Sequence, residues 1–383
     1  MANASTTTIA PAGGIRFTVA SRPQRRFSNT QTIDNTAATS FAPISLPATG
    51  YVRKIGLKFV QTTAYASAGA IVAGDGPWNL IAGITLTDAT GQAIFQPISG
   101  YNLFLVNKYF GSGTIKQNVP RWETNPHMGP EFAFSSSSTV GTAVFRLDLD
   151  LEQDYDSGYG CIPNLDSNAS LQLRVDAAAS SVAFTGTTIG AISLALTVDQ
   201  HYWAPVGMMT GGVVNRTAPI GFGDYLETRY ETQTVTASAE NTVPVNNRGG
   251  LVKGIIAISR AAGARVAFTA ATNVGVVYDN NAIDEGIKLE NVQDEMRRTH
   301  GYLGAAITTS YAPITAGQLS GIEAGVLVFN FATKSGSRDS WLSTRVGTLL
   351  QLKATPGTAA TQLELVTQLA QVRDAEAFYE GGR

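Results

Sequence analysis

The sequence is poor in the side chains that carry chemistry. It has one cysteine, Cys161, and three histidines, His127, His201 and His300, in 383 residues. A single thiol excludes an intrachain disulfide framework and fits folding in a reducing cytoplasm. The histidines lie far apart, and none sits in a metal-ligand spacing such as H-E-x-x-H. His201, beside aromatics in 199-DQHYWAP-205, reads as a hydrogen-bonded structural residue, and Cys161, in 158-GYGCIPN-164, as a small buried hydrophobe. There is no G-x-S-x-G elbow, no P-loop and no G-x-G-x-x-G. No apolar run approaches the roughly 18 residues of a membrane-spanning helix. The N-terminus lacks the apolar core of a signal peptide, so exit by lysis or assembly is expected rather than secretion. The expectation is a protein that is not an enzyme and has no cofactor and no metal.

Charge is scarce as well. Asp, Glu, Lys and Arg make up 15% of the chain, against about 25% in an average globular protein. Small side chains fill the deficit, which suits a surface largely covered by neighbours. The net charge is −2, so no global field draws the chain to nucleic acid or membrane. Four arginines, Arg16, Arg22, Arg25 and Arg26, do precede the first acidic residue, Asp34.

What is abundant is period-two alternation, and it occurs twice. The first half carries 52-VRKIGLKFV-60, a turn-bounded strand pair 80-LIAGITLTDATGQAIF-95, a helix-like 98-ISGYNLFLVNKYFG-111, and then 143-AVFRLDLDL-151, 170-SLQLRV-175 and 190-GAISLALTVD-199. The second repeats the order with 251-LVKGIIAIS-259, 274-VGVVYDNNAIDEGIKL-289, 290-ENVQDEMRRTHGYLG-304, 325-GVLVFNFAT-333, 346-VGTLLQLKA-354 and 361-TQLELVTQL-369. The pattern predicts an all-β chain of two eight-stranded modules. Residues 1–44 form a basic N-terminal arm, 45–203 the first module, 204–224 a Gly/Pro-rich linker, 225–372 the second module and 373–383 a polar tail. Residues 361–372 fit either a strand or a helix face, and the repeat favours the strand.

In 143–156, Phe145, Leu147, Leu149 and Leu151 alternate with Arg146, Asp148, Asp150, Glu152, Asp154 and Asp156. A row of carboxylates repels itself, so it calls for solvent, a neighbour's arginines or a cation. The spacing does not match a Ca²⁺ loop. Trp78, Trp122, Trp203 and Trp341 leave open a sugar-stacking surface, and scattered acids leave open a hydrolase groove, although no carboxylate pair stands out.

The segment 75-DGPWNLIAGITLTDATGQAIFQPISGYNLFLVNKYFG-111, with its Gly-Pro start, strand–turn–strand and aromatic-rich helix, resembles the first jelly roll of double jelly-roll major capsid proteins of the tectivirus–adenovirus lineage. Gly158, Ile162 and Pro163 fit the same pattern, and 274–304 supplies the matching unit of a second jelly roll. The resemblance implies two tandem jelly rolls with short helices in the connections. It implies a bacteriophage capsid protein, made in the host cytoplasm and located in the virion, that forms pseudo-hexameric homotrimers tiling an icosahedral shell. It implies penton and minor capsid proteins as partners. It also places the arm, with Arg16, Arg22, Arg25 and Arg26, at the inner side against an internal lipid membrane or the genome. The alternative is a jelly-roll carbohydrate-binding or receptor-binding surface protein.

Overall fold

The computed structural model describes residues 21–65, 71–73, 75–111, 131–133, 140–153, 158–167, 170–185, 189–205, 208–210, 213–215, 224–246, 249–269, 272–279, 281–300, 310–311, 324–332, 340–344 and 349–370. The first half contains β1 (Ser21–Asp34), β2 (Thr39–Ser40), β3 (Ile44–Ser45), β4 (Gly50–Tyr65), β5 (Ile81–Thr87), β6 (Ala93–Ile98), helix α1 (Gly100–Phe110), β7 (Val140–Asp150), β8 (Gln172–Ala177) and β9 (Ile189–Pro205). The second contains β10 (Leu226–Thr234), β11 (Asn241–Pro244), β12 (Leu251–Ala261), β13 (Asn273–Tyr278), β14 (Asn281–Lys288), helix α2 (Leu289–His300), β15 (Val326–Asn330), β16 (Leu350–Ala354) and β17 (Gln362–Ala370).

The two halves share one topology. In the first, one sheet runs β1-β9-β4-β7 and the other runs β2/β3-β8-β5-β6. In the second, the sheets run β10-β17-β12-β15 and β11-β16-β13-β14. The orders correspond strand for strand once β2 and β3, which both pair with β8, are taken as one interrupted strand. Each half is thus an eight-stranded jelly roll. Alternate residues fill each sandwich: Leu57, Phe145 and Leu196 meet Ile84, Leu173 and Val175 in the first, and Ile255 and Leu365 meet Val276 and Leu352 in the second. Even the irregularities repeat. β4 bulges at Arg53, because Val52 faces Tyr202 and Lys54 faces His201. β12 bulges at Lys253, because Val252 faces Leu369 and Gly254 faces Gln368. Each bulge points a cation at an indole: Arg53 lies 5.0 Å from the Trp203 ring and Lys253 5.5 Å from that of Trp341.

Two expectations need correction. The arm predicted over 1–44 is, from residue 21 onward, part of the first jelly roll. β1 pairs with β9 along its length, from Ser21 opposite Pro205 to Asp34 opposite Ser193. Among the described residues it is an edge strand with one neighbour, and its side chains are mostly exposed, so it lacks the apolar alternation that marks inner strands. Residues 1–20, including Arg16, and the tail 373–383 lie outside the described residues.

The acidic row of 146–156 is not one open face. Phe145, Leu147, Leu149 and Leu151 are buried as expected, but β7 ends at Asp150. Glu152 turns inward and is 2% exposed. Its carboxylate pairs with Arg53 at 2.7 Å and accepts hydrogen bonds from Trp203 Nε1 at 3.1 Å and the Gly158 N–H at 2.6 Å. Asp148 meets cations of its own chain, Lys54 at 2.5 Å and Arg146 at 2.9 Å. Asp154 and Asp156 lie outside the described residues. The ambiguous run 361–372 forms strand β17, paired with both β10 and β12.

Candidate functional site at the junction of the two halves

Helix α1 is apolar on every side, which is the composition of a helix covered on every side. All eleven of its residues are buried. Ser99 caps its start by accepting the Asn102 N–H. On its own half, Phe104 stacks on Trp78 with ring centroids 3.7 Å apart. Asn107 acts as a substitute strand for β7: its Nδ2 donates to the Asp148 carbonyl at 2.7 Å, and its Oδ1 accepts the Asp148 N–H at 2.9 Å.

The other side of α1 docks on the outer face of the second jelly roll, against β12 and β17. That face is apolar there: Ile256, Ile258, Val326, Val328 and Val366 belong to the same continuous cluster as the helix. Gly254 makes room for the Phe110 ring, since a Cβ on it would lie 2.5 Å from that ring. Lys253 Nζ donates to the Phe110 carbonyl at 2.8 Å, placing a cation at the helix C-terminus, where backbone carbonyls are otherwise unsatisfied. Beside the helix, β10 of the second half runs against β6 of the first.

An ionic cluster closes the junction. Asp75 of the first half accepts from Arg260 at 2.6 Å and from Arg265 at 2.5 Å. Arg260 also pairs with Glu364 at 2.6 Å, and Glu364 accepts from Asn102 at 2.5 Å. Both guanidiniums lie over the Tyr101 ring, at 5.5 and 5.4 Å. Burial works to lower the Arg260 pKa, but Asp75 and Glu364 outweigh it and the net shift is upward. The carboxylates are therefore held by permanent cations, an arrangement that clamps two bodies together.

The matching outer face of the first jelly roll carries charge instead. The shared bulge aligns the halves: Gly56 with Asp199 and Asp148 beside it takes the place of Ile256 with Val366 and Val328. Lys58 with Arg146 takes the place of Ile258 with Val326. Lys54, Asp148, Arg146, Asp199 and Arg25 form a continuous chain of ion pairs on this face. Burial opposes the charge on Asp148, yet Lys54 and Arg146 hold its pKa below the ordinary value. Burial likewise opposes the charge on Lys54, but Asp150 and Asp148 raise its pKa overall.

His201 sits among these cations with Nε2 buried and no hydrogen-bond partner among the described residues. Burial first, and then Lys54, Arg25 and Arg146, lower its pKa from 6.5 to about 4, against an opposing pull from Asp148. The folded pKa lies below the unfolded one, so this term stabilises fully above pH 6.5 and is lost as the pH falls from 6.5 towards 4. After allowance for its partial exposure, the loss should be on the order of 1–2 kcal/mol. His201→Gln should remove that part of the acid sensitivity in urea unfolding at pH 7 and pH 4.5. An unchanged difference between the two pH values contradicts this assignment.

Of the arginines expected to make contacts, Arg22, Arg25 and Arg26 are all exposed on β1, and Arg25 also bonds Asp199. Cys161 is buried, and burial together with Glu152 pushes its thiol pKa well up, against Arg53. Trp78, Trp203 and Trp341 are 1%, 4% and 6% exposed, which leaves them no face for a sugar. Trp122 and His127 lie outside the described residues. Among the described residues no group of three or more His, Cys, Asp or Glu is placed to hold a metal, and no helix is long and apolar enough to cross a membrane. The junction cluster of Asp75, Tyr101, Arg260, Arg265 and Glu364 was not singled out from the sequence, because its members are scattered along the chain. The signal available was the all-round apolarity of residues 100–110.

No protein-family model and no curated protein matches the chain. Solved structures do match it. The STIV MCP crystal structure is 12% identical with a TM-score of 0.60, the match covering 94% of this chain and 98% of that one. The atomic structure of Sulfolobus turreted icosahedral virus is 13% identical with a TM-score of 0.61, covering 93% and 95%. The Faustovirus major capsid protein is 8% identical with a TM-score of 0.56, covering 92% and 90%. With these matches covering 92–94% of it, the chain has the double jelly-roll fold found in viral major capsid proteins.

Proposed function

We propose that the chain is a structural virion protein, a major capsid protein that self-assembles into pseudo-hexameric homotrimers tiling an icosahedral shell. The observation that carries this reading is the junction itself. One jelly roll joins the next head to tail, through α1 and β6 on one side and the outer face of β12 and β17 on the other. Such a contact uses two different surfaces, so each chain retains one unused surface of each kind, and repetition closes into a ring when the rotation at each contact divides a full turn. Three chains supply six similar barrels. On this reading the partners are further copies, penton and minor capsid proteins, and, on the inner side, an internal membrane or the genome. Catalysis has no part in it.

Size-exclusion chromatography with light scattering should give about 121 kDa, three times the 40.3 kDa chain mass. Negative-stain images should show hexagonal outlines with three-fold symmetry. A stable monomer at micromolar concentration, with no such particles, contradicts the reading.

A further inference from the structure

Helix α1 is enclosed by two jelly rolls, whereas among the described residues its counterpart α2 is covered on one side only. Leu289 and Met296 of α2 are buried, while Glu290, Asn291, Asp294 and Glu295 are exposed. The outer face of β12 and β17 is filled by α1, whereas among the described residues no helix lies on the equivalent face of β4 and β9. Strand β10 lies against β6, whereas β1, its counterpart, is an edge that pairs with β9 alone among the described residues. The internal repeat therefore leaves a donor surface at one end of the chain, β14 with α2, and an acceptor surface at the other, β1 with the outer face of β4 and β9.

From this pairing we infer that β14 and α2 of one copy dock on β1, β4 and β9 of a second copy, in the geometry of the junction inside the chain but held by charge instead of apolar packing. The inference rests on the capsomer reading above and names its contact surfaces. Charge complementarity supports it. The exposed charges described on the donor are Glu290, Asp294 and Glu295 of α2, with Lys288 at the end of β14. The acceptor exposes Arg22, Arg25, Arg26 and Lys58, with Asp34 at the far end of β1. Where the internal junction has Ile256, Ile258 and Val366, the acceptor has Gly56, Lys58 and Asp199. An apolar helix like α1 would not suit that charged face, whereas a polar one does. Ile283 of β14 and Phe27 of β1 add exposed apolar surface, 42% and 59% exposed. Tyr230 holds Phe27's place in the repeat and remains 50% exposed beside β6, so charge and topology carry the inference more than burial of Phe27 does.

The arginines of β1 are thereby assigned to a subunit contact. Two reversal variants test it, Arg22→Glu with Arg26→Glu, and Glu290→Lys with Asp294→Lys, together with a third chain carrying all four changes. Each two-site variant should melt like the parent monomer yet elute near the mass of one chain at concentrations where the parent is trimeric. The four-site chain should regain the trimer, because the two reversed pairs of charges then attract each other again. Trimers in both two-site variants, or a four-site chain that stays monomeric, overturn the inference while leaving the capsomer reading intact. A monomeric parent overturns that reading as well. If Arg22→Glu with Arg26→Glu keeps the trimer but loses retention on phosphatidylserine vesicles or duplex DNA, the arginines serve an anionic surface and the inference fails.

Discussion

Replacing Arg260 by alanine is expected to lower the stability of the folded chain by about 3–5 kcal/mol, the range for removing one partner of a buried ion pair. Arg260 is 13% exposed, and its carboxylate partners, Asp75 and Glu364, are 13% and 14% exposed. Its loss leaves Glu364, among the described residues, with only the amide of Asn102, and Asp75 with Arg265. The penalty is that of a carboxylate left in a poorly solvated site. Asp75 belongs to the first jelly roll, and Arg260 and Glu364 to the second, so the loss should fall on the joint. Hydrogen exchange should show early opening around residues 75–81 and 262–265, while the core strands β4 and β12 keep their protection. Arg260→Lys should recover only part of the stability, because an ammonium cannot present two nitrogens to two carboxylates in the fixed geometry of a guanidinium. A loss below about 1 kcal/mol in the alanine variant, the range of an exposed pair, contradicts the buried-clamp description.

Phe104→Ala should cost about as much, roughly 3–5 kcal/mol, by the usual range for removing a buried aromatic ring. Phe104 is 4% exposed and stacked on Trp78. The informative comparison is with the other half. Asn291→Ala, on the exposed side of α2, should change stability by less than about 0.5 kcal/mol in the monomer. Urea denaturation of the two variants measures the difference directly. Similar effects at both positions mean that the two helices are not in contrasting environments. A helix buried on all sides within one chain, and its counterpart buried on one side, is the asymmetry expected of a repeated unit that joins to its own kind at both ends.

Much of this architecture could be read from residue order alone. Strands with a core on one face alternate, as 52–60, 143–151 and 190–199 do, whereas 251–259 and 325–333, buried on both faces, read as continuous apolar runs, and 361–369 is recognised through the repeat. Each strand-pair-then-helix unit stands out because Asp88, Thr90 and Gly91 form a turn, with Asp88 accepting the N–H groups of Thr90 and Gln92, and period two then gives way to a helical run. The strands that escaped were β1, β2 and β3 and their counterparts β10 and β11. In 21-SRPQRRFSNTQTID-34 only Ile33 packs against the core, so the strand exists because β9 offers it a partner. Hydrogen bonding to a neighbour leaves no period in a sequence. The basic, polar composition of this segment is equally that of a loose arm, and the choice between the two is made by a strand more than 150 residues away in the chain.

The acidic row teaches the same lesson. Alternation correctly placed Asp148 and Asp150 opposite Leu147 and Leu149, since side-chain parity is a property of the strand itself. It could not place Lys54 on the adjacent strand at the same height, nor report that β7 stops before Glu152 and lets that carboxylate turn in to Arg53 and Trp203. By itself the sequence determined the all-β class, the duplication, the strand-and-helix order within each half and the absence of recognised catalytic motifs, because these depend on composition and local periodicity. Tertiary structure decided which edge strands complete each jelly roll, that α1 and the cluster of Asp75, Arg260, Arg265 and Glu364 join the two, and that one outer face is apolar and covered while its counterpart is charged. Those features depend on which distant segments meet, and long-range contact is a property of the folded chain.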